Sequence, residues 1–401
     1  MRLTAITKRL AGLGGGKWAV HLKARQMATD GADLVEMTIG EPDVPAPQEL
    51  LDAAAQALRS GRTGYSNGRG EAGLCAALAD SYTASRGRAF AAENILCFPG
   101  TQTSLYAVLQ GVAEAGTEVL VGDPMYATYE GVIRASGADP VPVLLRPEAG
   151  FRMQAADVAR RITSRSRAIL LTTPHNPTGA ILTAQDLQKI GELAIKHDLW
   201  IISDEVYEHL VFDGAKFVSP LSDPALADRV IAVSSISKSH AAPGFRSGWC
   251  VGPADFCTAL LPVSETMLFG NQPFIADMTE KAVRAGSSVA AGMAARYSAR
   301  ADLMVQRLHD ETGLTVHRPD AGMFALVNVA ATGMDGDTYA WDLLEHGVSV
   351  MPGSAFGDSL RDWVRVALTI DDGQFTTALD RIVAHANHRN RSLALDRGFT
   401  P

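Results

Sequence analysis

Five polar side chains, each placed soon after a short apolar run, carry the chemistry that this sequence offers: Asn176, Asp204, Tyr207, Lys238 and Arg246. Lys238 is a candidate amine nucleophile, which becomes effective when neighbouring cations depress its pKa. A carboxylate such as Asp204 can pair with a protonated heterocyclic nitrogen, whereas Asn176 and Tyr207 can donate hydrogen bonds to a phenolate-like oxygen. A guanidinium such as Arg246 binds an anion through two parallel hydrogen bonds. Together the five groups predict a pocket for a small, anionic heteroaromatic molecule.

A second set of residues predicts a phosphate site beside these groups. Gly100, Thr101 and Gln102 follow an apolar run and open a helix, and a helix N-terminus next to a glycine binds anions readily. Ser235 adds a hydroxyl donor, and Tyr126 offers an aromatic face. An aromatic aldehyde with a ring nitrogen, a ring oxygen and a phosphate satisfies all of these groups at once. We therefore expect pyridoxal 5′-phosphate (PLP), an electron sink that a lysine holds as a Schiff base.

The elements that must position these residues are short apolar runs that alternate with helical segments. Continuous apolar runs of this kind suit strands covered on both faces, which indicates a mainly parallel sheet between helices. Because ligands bind at the carboxyl ends of such strands, five of the strand ends are expected to converge on one site. The runs lie at 95–98, 118–121, 142–145, 168–171, 200–202, 230–233 and 249–251. Helices are predicted at 50–58, 103–112 and 183–197, the last with Thr183 as its N-cap.

Three motifs give the chain its resemblance to a known family: Asn176-Pro177-Thr178-Gly179, Asp204-Glu205-Val206-Tyr207, and Ser235-Ile236-Ser237-Lys238 followed by Gly244-Phe245-Arg246-Ser247-Gly248-Trp249. The spacing matches as well, with 34 positions from Asp204 to Lys238 and 8 from Lys238 to Arg246. With these motifs the chain resembles the PLP-dependent class I/II aminotransferases of fold type I. The resemblance runs from Gly40 to Arg365. Within the family the chain is most similar to the arginine–pyruvate transaminase type, through the segments 197–200, 237–241, 318–320 and 346–350.

The resemblance implies a role for each matching residue around the cofactor. Lys238 carries PLP as a Schiff base and moves a proton between the substrate Cα and the cofactor. Asp204 keeps the pyridine nitrogen protonated, while Tyr207 and Asn176 bond the ring oxygen. Tyr126 stacks on the ring. The residues implied to hold the phosphate are Gly100, Thr101, Gln102, Ser235 and Arg246, together with Tyr65, which reaches the phosphate of the partner subunit.

The resemblance also implies the substrate contacts. Arg365 binds the α-carboxylate of the substrate, and both Asn176 and the backbone of Gly40 contact the substrate as well. Trp18 lies where relatives line the entrance of the pocket. These residues are therefore expected to converge on the cofactor from both ends of the chain.

One loop departs from the family pattern. Many relatives carry Ala-Met-Thr-Gly where this chain has Ala241-Ala242-Pro243-Gly244. Pro243 removes a backbone donor and stiffens the turn. We nevertheless expect Arg246, three residues further on, to keep its usual position.

The resemblance implies a fold type I architecture in the α/β class: a large domain with a mainly parallel seven-stranded sheet, and a smaller α+β domain. We place an N-terminal arm and part of the small domain at 1–46, the large PLP-binding domain at 47–280, and the small C-terminal domain at 281–401. Near the start of the last domain we predict one long helix from 280 to about 308. Strands are predicted at 325–329 and 363–368.

The implied activity is a ping-pong transamination. An amino group moves from an L-amino acid, arginine or another basic or long-chain donor, to a 2-oxo acid such as pyruvate or 2-oxoglutarate. An aspartate-type aminotransferase is the alternative, and the motifs do not separate transamination from a PLP lyase or oxidase on the same scaffold. A PLP-sensing transcription regulator is the non-enzyme alternative. Such a regulator needs an N-terminal winged-helix module, whereas here the aminotransferase pattern begins by about residue 20.

The composition of the 401 residues excludes several classes of protein. With 36 Lys and Arg against 44 Asp and Glu, the net charge of −8 gives no general attraction for nucleic acid or an anionic membrane. The four cysteines form no CxxC pair, so we predict no metal site and a reducing, cytoplasmic location. No apolar run approaches the roughly 20 residues of a spanning helix.

The role implied for Tyr65 predicts a homodimer with shared active sites.

Overall fold

The computed structural model describes residues 2–268 and 270–396, and the side chains among them up to residue 391. The helices of this part of the chain are α1 (Ala5–Arg9), α2 (Ala19–Thr29), α3 (Gln48–Arg59), α4 (Ala72–Arg86), α5 (Thr101–Val112), α6 (Tyr129–Ser136), α7 (Ala155–Arg161), α8 (Ala184–His197), α9 (Ile236–Ser239), α10 (Ala254–Met267), α11 (Pro273–Ala285), α12 (Ala290–Thr312), α13 (Gly336–Glu345) and α14 (Asp372–Asp396). The strands are β1 (Val35–Glu36), β2 (Ile95–Phe98), β3 (Glu118–Asp123), β4 (Asp139–Leu144), β5 (Ser166–Thr172), β6 (Trp200–Asp204), β7 (Val230–Ser235), β8 (Gly248–Val251), β9 (Thr315–His317), β10 (Phe324–Asn328), β11 (Val348–Ser349), β12 (Met351–Pro352) and β13 (Trp363–Ala367).

A seven-stranded sheet in the order β2-β8-β7-β6-β5-β3-β4 forms the centre of the larger unit. Strand β8 runs antiparallel to both of its neighbours, and the other pairs are parallel. Successive strand residues enter opposite apolar clusters, Ile169 and Ile201 on one face and Leu170 and Ile202 on the other. Each of the seven predicted runs overlaps one of these strands. The predicted α/β class with a mainly parallel sheet is therefore confirmed.

The three predicted helices correspond to α3, α5 and α8. Thr183 caps α8 as predicted, because its hydroxyl accepts a hydrogen bond from the Asp186 amide at 3.1 Å while the Asp186 carboxylate accepts one from the Thr183 amide at 3.0 Å. Helix α5 begins at Thr101, two residues before the predicted start. This earlier start puts Thr101 and Gln102 in the first helical turn, where backbone amides have no partner within the helix.

A four-stranded antiparallel sheet in the order β12-β13-β10-β9 belongs to a smaller unit near the C-terminus. The N-terminal segment joins this unit, because β1 pairs in parallel with β11 and sets Val35 opposite Val348. Both residues lie in a third apolar cluster, which also contains residues of α12 and α14. The domain boundaries at 46 and 280 stay a prediction.

The single long helix expected at 280–308 is wrong. The structure has two helices there, α11 and α12, separated by residues 286–289. Gly286 ends α11 with a φ of +74°, a conformation that glycine adopts without steric cost. The Ser287 hydroxyl then accepts hydrogen bonds from the amides of Val289 at 3.2 Å and Ala290 at 2.9 Å. These bonds favour a new helix start over continuation of the old one.

Two further features are relevant to the predicted location of the protein. Within residues 2–268 and 270–396, no helix combines the length and the apolar character that crossing a bilayer requires. The cysteines Cys75, Cys97, Cys250 and Cys257 are all buried, free thiols. The predicted cytoplasmic location stays a prediction.

Candidate active site

A cavity of about 180 Å³ opens at the carboxyl edge of the large sheet. Strands β5, β6 and β7 end there at Thr172, Asp204 and Ser235, so three neighbouring strands each deliver a polar side chain to the cavity. Parallel strands converge in this way because their carboxyl ends share one edge. The predicted residues that line the cavity are Thr101, Gln102, Tyr126, Asn176, Asp204, Tyr207, Ser235, Lys238 and Arg246.

Lys238 lies in the short helix α9, which follows β7 directly. Its Nζ donates a hydrogen bond to the main-chain oxygen of Gly40 at 2.7 Å. Burial lowers the pKa of Lys238 to about 8; the charge of Glu41 opposes this shift, and the guanidiniums of Arg365 and Arg246 add to it. A substantial fraction of the amine is therefore neutral near physiological pH, as a nucleophile requires.

Asp204 is a buried carboxylate that faces the cavity. Its Oδ2 accepts a hydrogen bond from the Tyr129 hydroxyl at 2.8 Å, and its Oδ1 accepts one from the Val206 amide at 3.2 Å. Burial raises the pKa of Asp204 to about 6, although both hydrogen bonds act in the opposite direction. No Lys, Arg or His of the described chain forms an ion pair with it. A cationic ring nitrogen in the cavity would supply the missing counter-charge.

Gly100, Thr101 and Arg246 form an anion cradle at the start of α5. Gly100 has a φ of +87°, and a Cβ built on it would overlap the Arg246 guanidinium, so only glycine fits there. The Thr101 hydroxyl is buried and has no hydrogen-bond partner in the described part of the chain. Arg246 itself adopts a φ of +51°, and its Nη1 donates to the Pro243 carbonyl at 2.7 Å. This contact is to a main-chain oxygen, so it helps to hold Arg246 against Gly100 without depending on the proline side chain.

Gln102 and Ser235 flank this cradle. The Gln102 side-chain oxygen accepts a hydrogen bond from the Thr128 hydroxyl at 2.9 Å, which leaves its amide group directed elsewhere. The Ser235 hydroxyl accepts a hydrogen bond from the Ser237 amide at 3.3 Å and retains its own proton for donation. Both side chains therefore keep a donor for an anion.

Asn176, Tyr207 and Tyr126 form another wall of the cavity. The Asn176 side-chain amide lies 3.5 Å from the Tyr207 hydroxyl oxygen. Burial raises the pKa of Tyr207, so its hydroxyl stays protonated and available as a donor. The Tyr126 ring meets the Tyr129 ring edge to face, with ring centroids 5.5 Å apart. This contact fixes the plane that Tyr126 presents to the cavity.

Arg365 comes from β13 of the smaller unit and is held on several sides. Its Nη1 donates to Asn176 Oδ1 at 3.0 Å and its Nη2 to the Thr38 carbonyl at 2.6 Å. Its guanidinium carbon lies 3.7 Å from the ring centre of Phe324 and 4.4 Å from that of Phe356. Burial lowers the pKa of Arg365 to about 10. Its Nε is buried without a hydrogen-bond partner among the residues described, and the two hydrogen bonds use only one N–H each of Nη1 and Nη2, so this cation keeps donors for a ligand.

The predicted residues that are not in the wall of the cavity are Gly40, Gly100, Arg365, Trp18 and Tyr65. Gly40 reaches the site through its carbonyl, and a Cβ on it would overlap the Phe324 ring. Trp18 is half-buried and meets the His21 ring at a centroid distance of 6.3 Å, without lining the cavity. Tyr65 is 95% exposed, at the surface of the chain. The structure therefore gathers the cofactor and carboxylate residues, but does not bring Trp18 or Tyr65 to this cavity.

Three features of the cavity suit PLP. Asp204 is a buried carboxylate that no cation of the described residues pairs with, which suits a protonated pyridine nitrogen. The cradle of Gly100 and Arg246, with the unpartnered Thr101 hydroxyl, suits a dianionic phosphate. Lys238 has a lowered pKa and lies in the same cavity, which suits an aldehyde.

Sequence reasoning missed the residue that holds Asp204 in place, Tyr129. It lies three positions after Tyr126, at the first residue of α6. Tyr126 lies in the loop before α6, so no helical spacing relates the two tyrosines, and only their closeness in sequence could have indicated a second tyrosine at the site. The others that line the cavity and were not predicted are Leu105, Thr172, Val206, Ser237 and Pro243.

Comparisons with known proteins agree over almost the whole chain. The family model described as aminotransferase class I and II matches residues 32–382, from just before β1 into α14. The arginine–pyruvate transaminase of Pseudomonas aeruginosa is 42% identical over 383 residues, covering 95% of this chain and 97% of that protein. The aspartate/prephenate aminotransferase of Thermus thermophilus is 31% identical over 369 residues, covering 90% of this chain and 94% of that protein.

Solved structures of aminotransferases are also similar to this chain over nearly its whole length. A double mutant of the Thermus thermophilus aspartate aminotransferase superposes with a TM-score of 0.90 at 31% identity, covering 96% of this chain and 100% of that one. The aromatic aminotransferase of Pyrococcus horikoshii superposes with a TM-score of 0.84 at 27% identity, covering 94% and 100%.

Proposed function

This chain belongs to the aminotransferase class I and II family, and we propose that it moves the amino group of an L-amino acid to a 2-oxo acid in two half-reactions, with PLP as its cofactor. The observation that carries the proposal is one cavity that contains both a lysine with a lowered pKa and a buried carboxylate without a cation partner among the described residues. A solvated surface lysine would not have a lowered pKa, and an aspartate that only caps a surface turn would not be buried.

We assign the cofactor contacts from the geometry of the cavity. Gly100, Thr101, Gln102, Ser235 and Arg246 would hold the phosphate. When bound, PLP supplies an electron sink for charge that develops at the substrate Cα, and carries the amino group between the half-reactions. Four of these residues line the cavity, and Gly100 adjoins it through Thr101 and the Arg246 guanidinium.

Three side chains would fix the ring of the cofactor. Asp204 would keep a proton on the ring nitrogen, because a buried carboxylate favours a cation beside it. Asn176 and Tyr207 would donate to the ring oxygen. Tyr126 would stack on the ring face, in the plane that its contact with Tyr129 determines.

Lys238 would act twice, first as the amine that attaches the cofactor and then as the base that moves a proton from the substrate Cα. A pKa of about 8 suits both tasks, because the amine accepts and returns a proton near neutral pH. Its hydrogen bond to the Gly40 carbonyl places Nζ between the two units of the chain. The same contact puts the backbone of Gly40 beside the reacting groups.

Arg365 would bind the α-carboxylate of both substrates. Two of its nitrogens are held by Asn176 and by the Thr38 carbonyl, and its Nε has no partner among the described residues. The flanking Phe324 ring excludes water from one face of the guanidinium. A carboxylate bound there is oriented, so that the Cα–H bond can be set toward Lys238.

For the amino donor we propose arginine or another basic or long-chain amino acid, with pyruvate or 2-oxoglutarate as acceptor. The proposal is supported by the relative at 42% identity, whose name specifies arginine and pyruvate and whose similarity covers 95% of this chain. Relatives named for aspartate reach 31% identity. Aspartate is therefore the second candidate donor.

We expect the purified enzyme to consume arginine at least about tenfold faster than aspartate when pyruvate is the acceptor. The measurement is the formation of alanine and of the 2-oxo acid of each donor. A reaction without pyruvate is the control, since steady release of ammonia there would indicate a lyase or an oxidase. A preference for aspartate would overturn the assignment of the donor but not that of transamination.

Gly100→Ala is expected to weaken PLP binding by about tenfold or more, which corresponds to about 1.4 kcal/mol. The added Cβ would overlap the Arg246 guanidinium and push it out of the cradle. The measurement is the affinity of the cofactor-free enzyme for PLP. Gly87→Ala is the matched control, because Gly87 also has a positive φ, +71°, but no atom within 4 Å of its Cβ position. Equal affinities for the two variants would contradict the cradle.

We also propose that the enzyme is a homodimer in the cytoplasm. The support is Tyr65, which the family pattern directs to the neighbouring active site and which is 95% exposed on the single chain. A tyrosine exposed to this extent is available to a second subunit. Sedimentation analysis tests the dimer, and a fully active monomer would contradict it.

A further inference from the structure

Two helices of the smaller unit bring together an aspartate and two histidines far from one another in sequence. Asp342 lies in α13, His346 follows the end of that helix, and His385 lies in α14. One ligand atom from each of these side chains lies within 4.8 Å of the other two. None of the three lines the cavity at the large sheet.

His346 is arranged as metal-binding histidines usually are. Its Nδ1 lies 2.8 Å from the main-chain oxygen of Asp342, and because a carbonyl only accepts, Nδ1 must carry the proton. The lone pair is therefore on Nε2. A histidine that ligates a metal through one nitrogen typically donates its other N–H to a carbonyl or a carboxylate in the same way. The His346 side chain is exposed, which leaves a path by which an ion can enter.

His385 is buried, only 2% exposed, and incompletely satisfied. Its Nε2 lies 2.7 Å from Asp342 Oδ2, whereas its Nδ1 is buried with no hydrogen-bond partner among the described residues. A buried imidazole nitrogen without a hydrogen-bond partner lowers the stability of the folded state unless a ligand binds to it. The ring of His385 lies 4.9 Å from that of His346, measured between centroids, so one ion can reach both.

Arg389 is the one cation paired with Asp342 in the described structure. Its Nε donates to Asp342 Oδ2 at 2.9 Å, and its Nη2 contacts the same oxygen. Both bonds fall on Oδ2, so Oδ1 of the carboxylate stays open to a ligand. Carboxylates that bind metals are commonly oriented by a hydrogen-bond donor of this kind, and Arg389 suits that role.

We propose that Asp342, His346 and His385 bind a divalent transition-metal ion, with Zn²⁺ the best match to two imidazoles and one carboxylate. Two ligands on one tetrahedral Zn²⁺ lie roughly 3.3 Å apart, so atoms within 4.8 Å of one another need only small movements to close around the ion. Three protein ligands leave a fourth position for water. The ion joins α13 to α14 and stabilises the smaller unit. The proposal differs from the expectation, drawn from the cysteine pattern, that the chain has no metal site, because histidines and an aspartate rather than cysteines supply the ligands.

The test is equilibrium dialysis of the PLP-loaded enzyme against Zn²⁺, with the bound metal measured per chain. We expect wild type to bind one more equivalent than His346→Ala, or to bind that equivalent at least about tenfold more tightly. His309→Ala is the matched control, because His309 is an exposed histidine of α12 outside the cluster. Since all three proteins carry the same cofactor, metal bound by PLP itself cancels in the comparison.

Thermal unfolding gives a second readout that does not depend on activity. Added Zn²⁺ should raise the unfolding midpoint of wild type and of His309→Ala, but not that of His346→Ala, because an ion that binds only the folded state stabilises it. Because His346 is exposed, its replacement by alanine is not expected to unfold the protein. A loss of metal binding in His346→Ala would therefore not be explained by unfolding. Equal stoichiometry and equal midpoints in wild type and His346→Ala would mean adventitious metal only, and would overturn the site.

Discussion

Lys238→Ala is expected to lower the rate of transamination by about 10⁴-fold, the upper end of what a positioned general base contributes. The same amine is proposed both to attach the cofactor and to move the Cα proton, so one substitution removes two functions. The lowered pKa of Lys238, about 8, makes the amine effective in both functions near neutral pH. The measurement is kcat with the best donor and pyruvate, on protein whose folding is checked by its thermal midpoint.

The attachment itself has a separate readout. Borohydride reduction should fix one PLP per chain on wild type and none at this position in Lys238→Ala, as peptide mass spectrometry would show. Lys189→Ala is the matched control, because Lys189 is an exposed lysine of α8. Transamination by Lys238→Ala at a rate comparable to wild type would refute the assignment.

Asp204→Asn is expected to reduce kcat by about 10²–10³-fold, the range found when a preorganised electrostatic partner is removed. Asparagine keeps the shape of the side chain but cannot stabilise a positive charge on the ring nitrogen. The loss should appear in kcat more than in KM, because Arg365 and not Asp204 is proposed to hold the substrate carboxylate. A variant that loses only substrate affinity would argue for a purely structural role.

The stability of the cofactor-free protein supplies an independent check on Asp204. Its pKa is raised from 3.8 to about 6 in the folded chain, so the folded state holds the proton more tightly than the unfolded state does. The free energy of unfolding should therefore fall as pH rises from about 4 to about 6, by on the order of 3 kcal/mol for this group. Asp204→Asn should remove that fall and be more stable than wild type at pH 7 without PLP. A less stable variant would show that other groups of the protein already stabilise the charged Asp204 carboxylate.

Much of the site follows from local sequence alone. Asp204 and Lys238 come two and five residues after apolar runs that suit buried strands, and parallel strands present their carboxyl ends at one edge. Gly100 ahead of a helical pattern predicts an anion site for a similarly local reason. Asp204 and Lys238 were therefore identifiable before any coordinates, and both line the cavity, whereas Gly40, Gly100, Arg365, Trp18 and Tyr65 of the predicted set do not. The break between α11 and α12 was missed, because a Gly-Ser-Ser stretch inside a helical pattern carries only a weak local signal.

Contacts that join distant parts of the chain were decided by tertiary packing. The Gly40 carbonyl meets Lys238 across 198 positions of sequence, and Arg365 reaches Asn176 across 189. The pairing of β1 with β11 ties the N-terminal segment to the smaller unit, and the cluster at Asp342 depends on how α14 lies against α13. Periodicity encodes which face of an element is apolar, but not which partner will cover that face. Residue type and spacing therefore determined which polar groups stand at the strand ends, whereas the contact of Arg365 with Asn176 and the cluster of Asp342, His346 and His385 arose only when separate apolar faces were buried against each other.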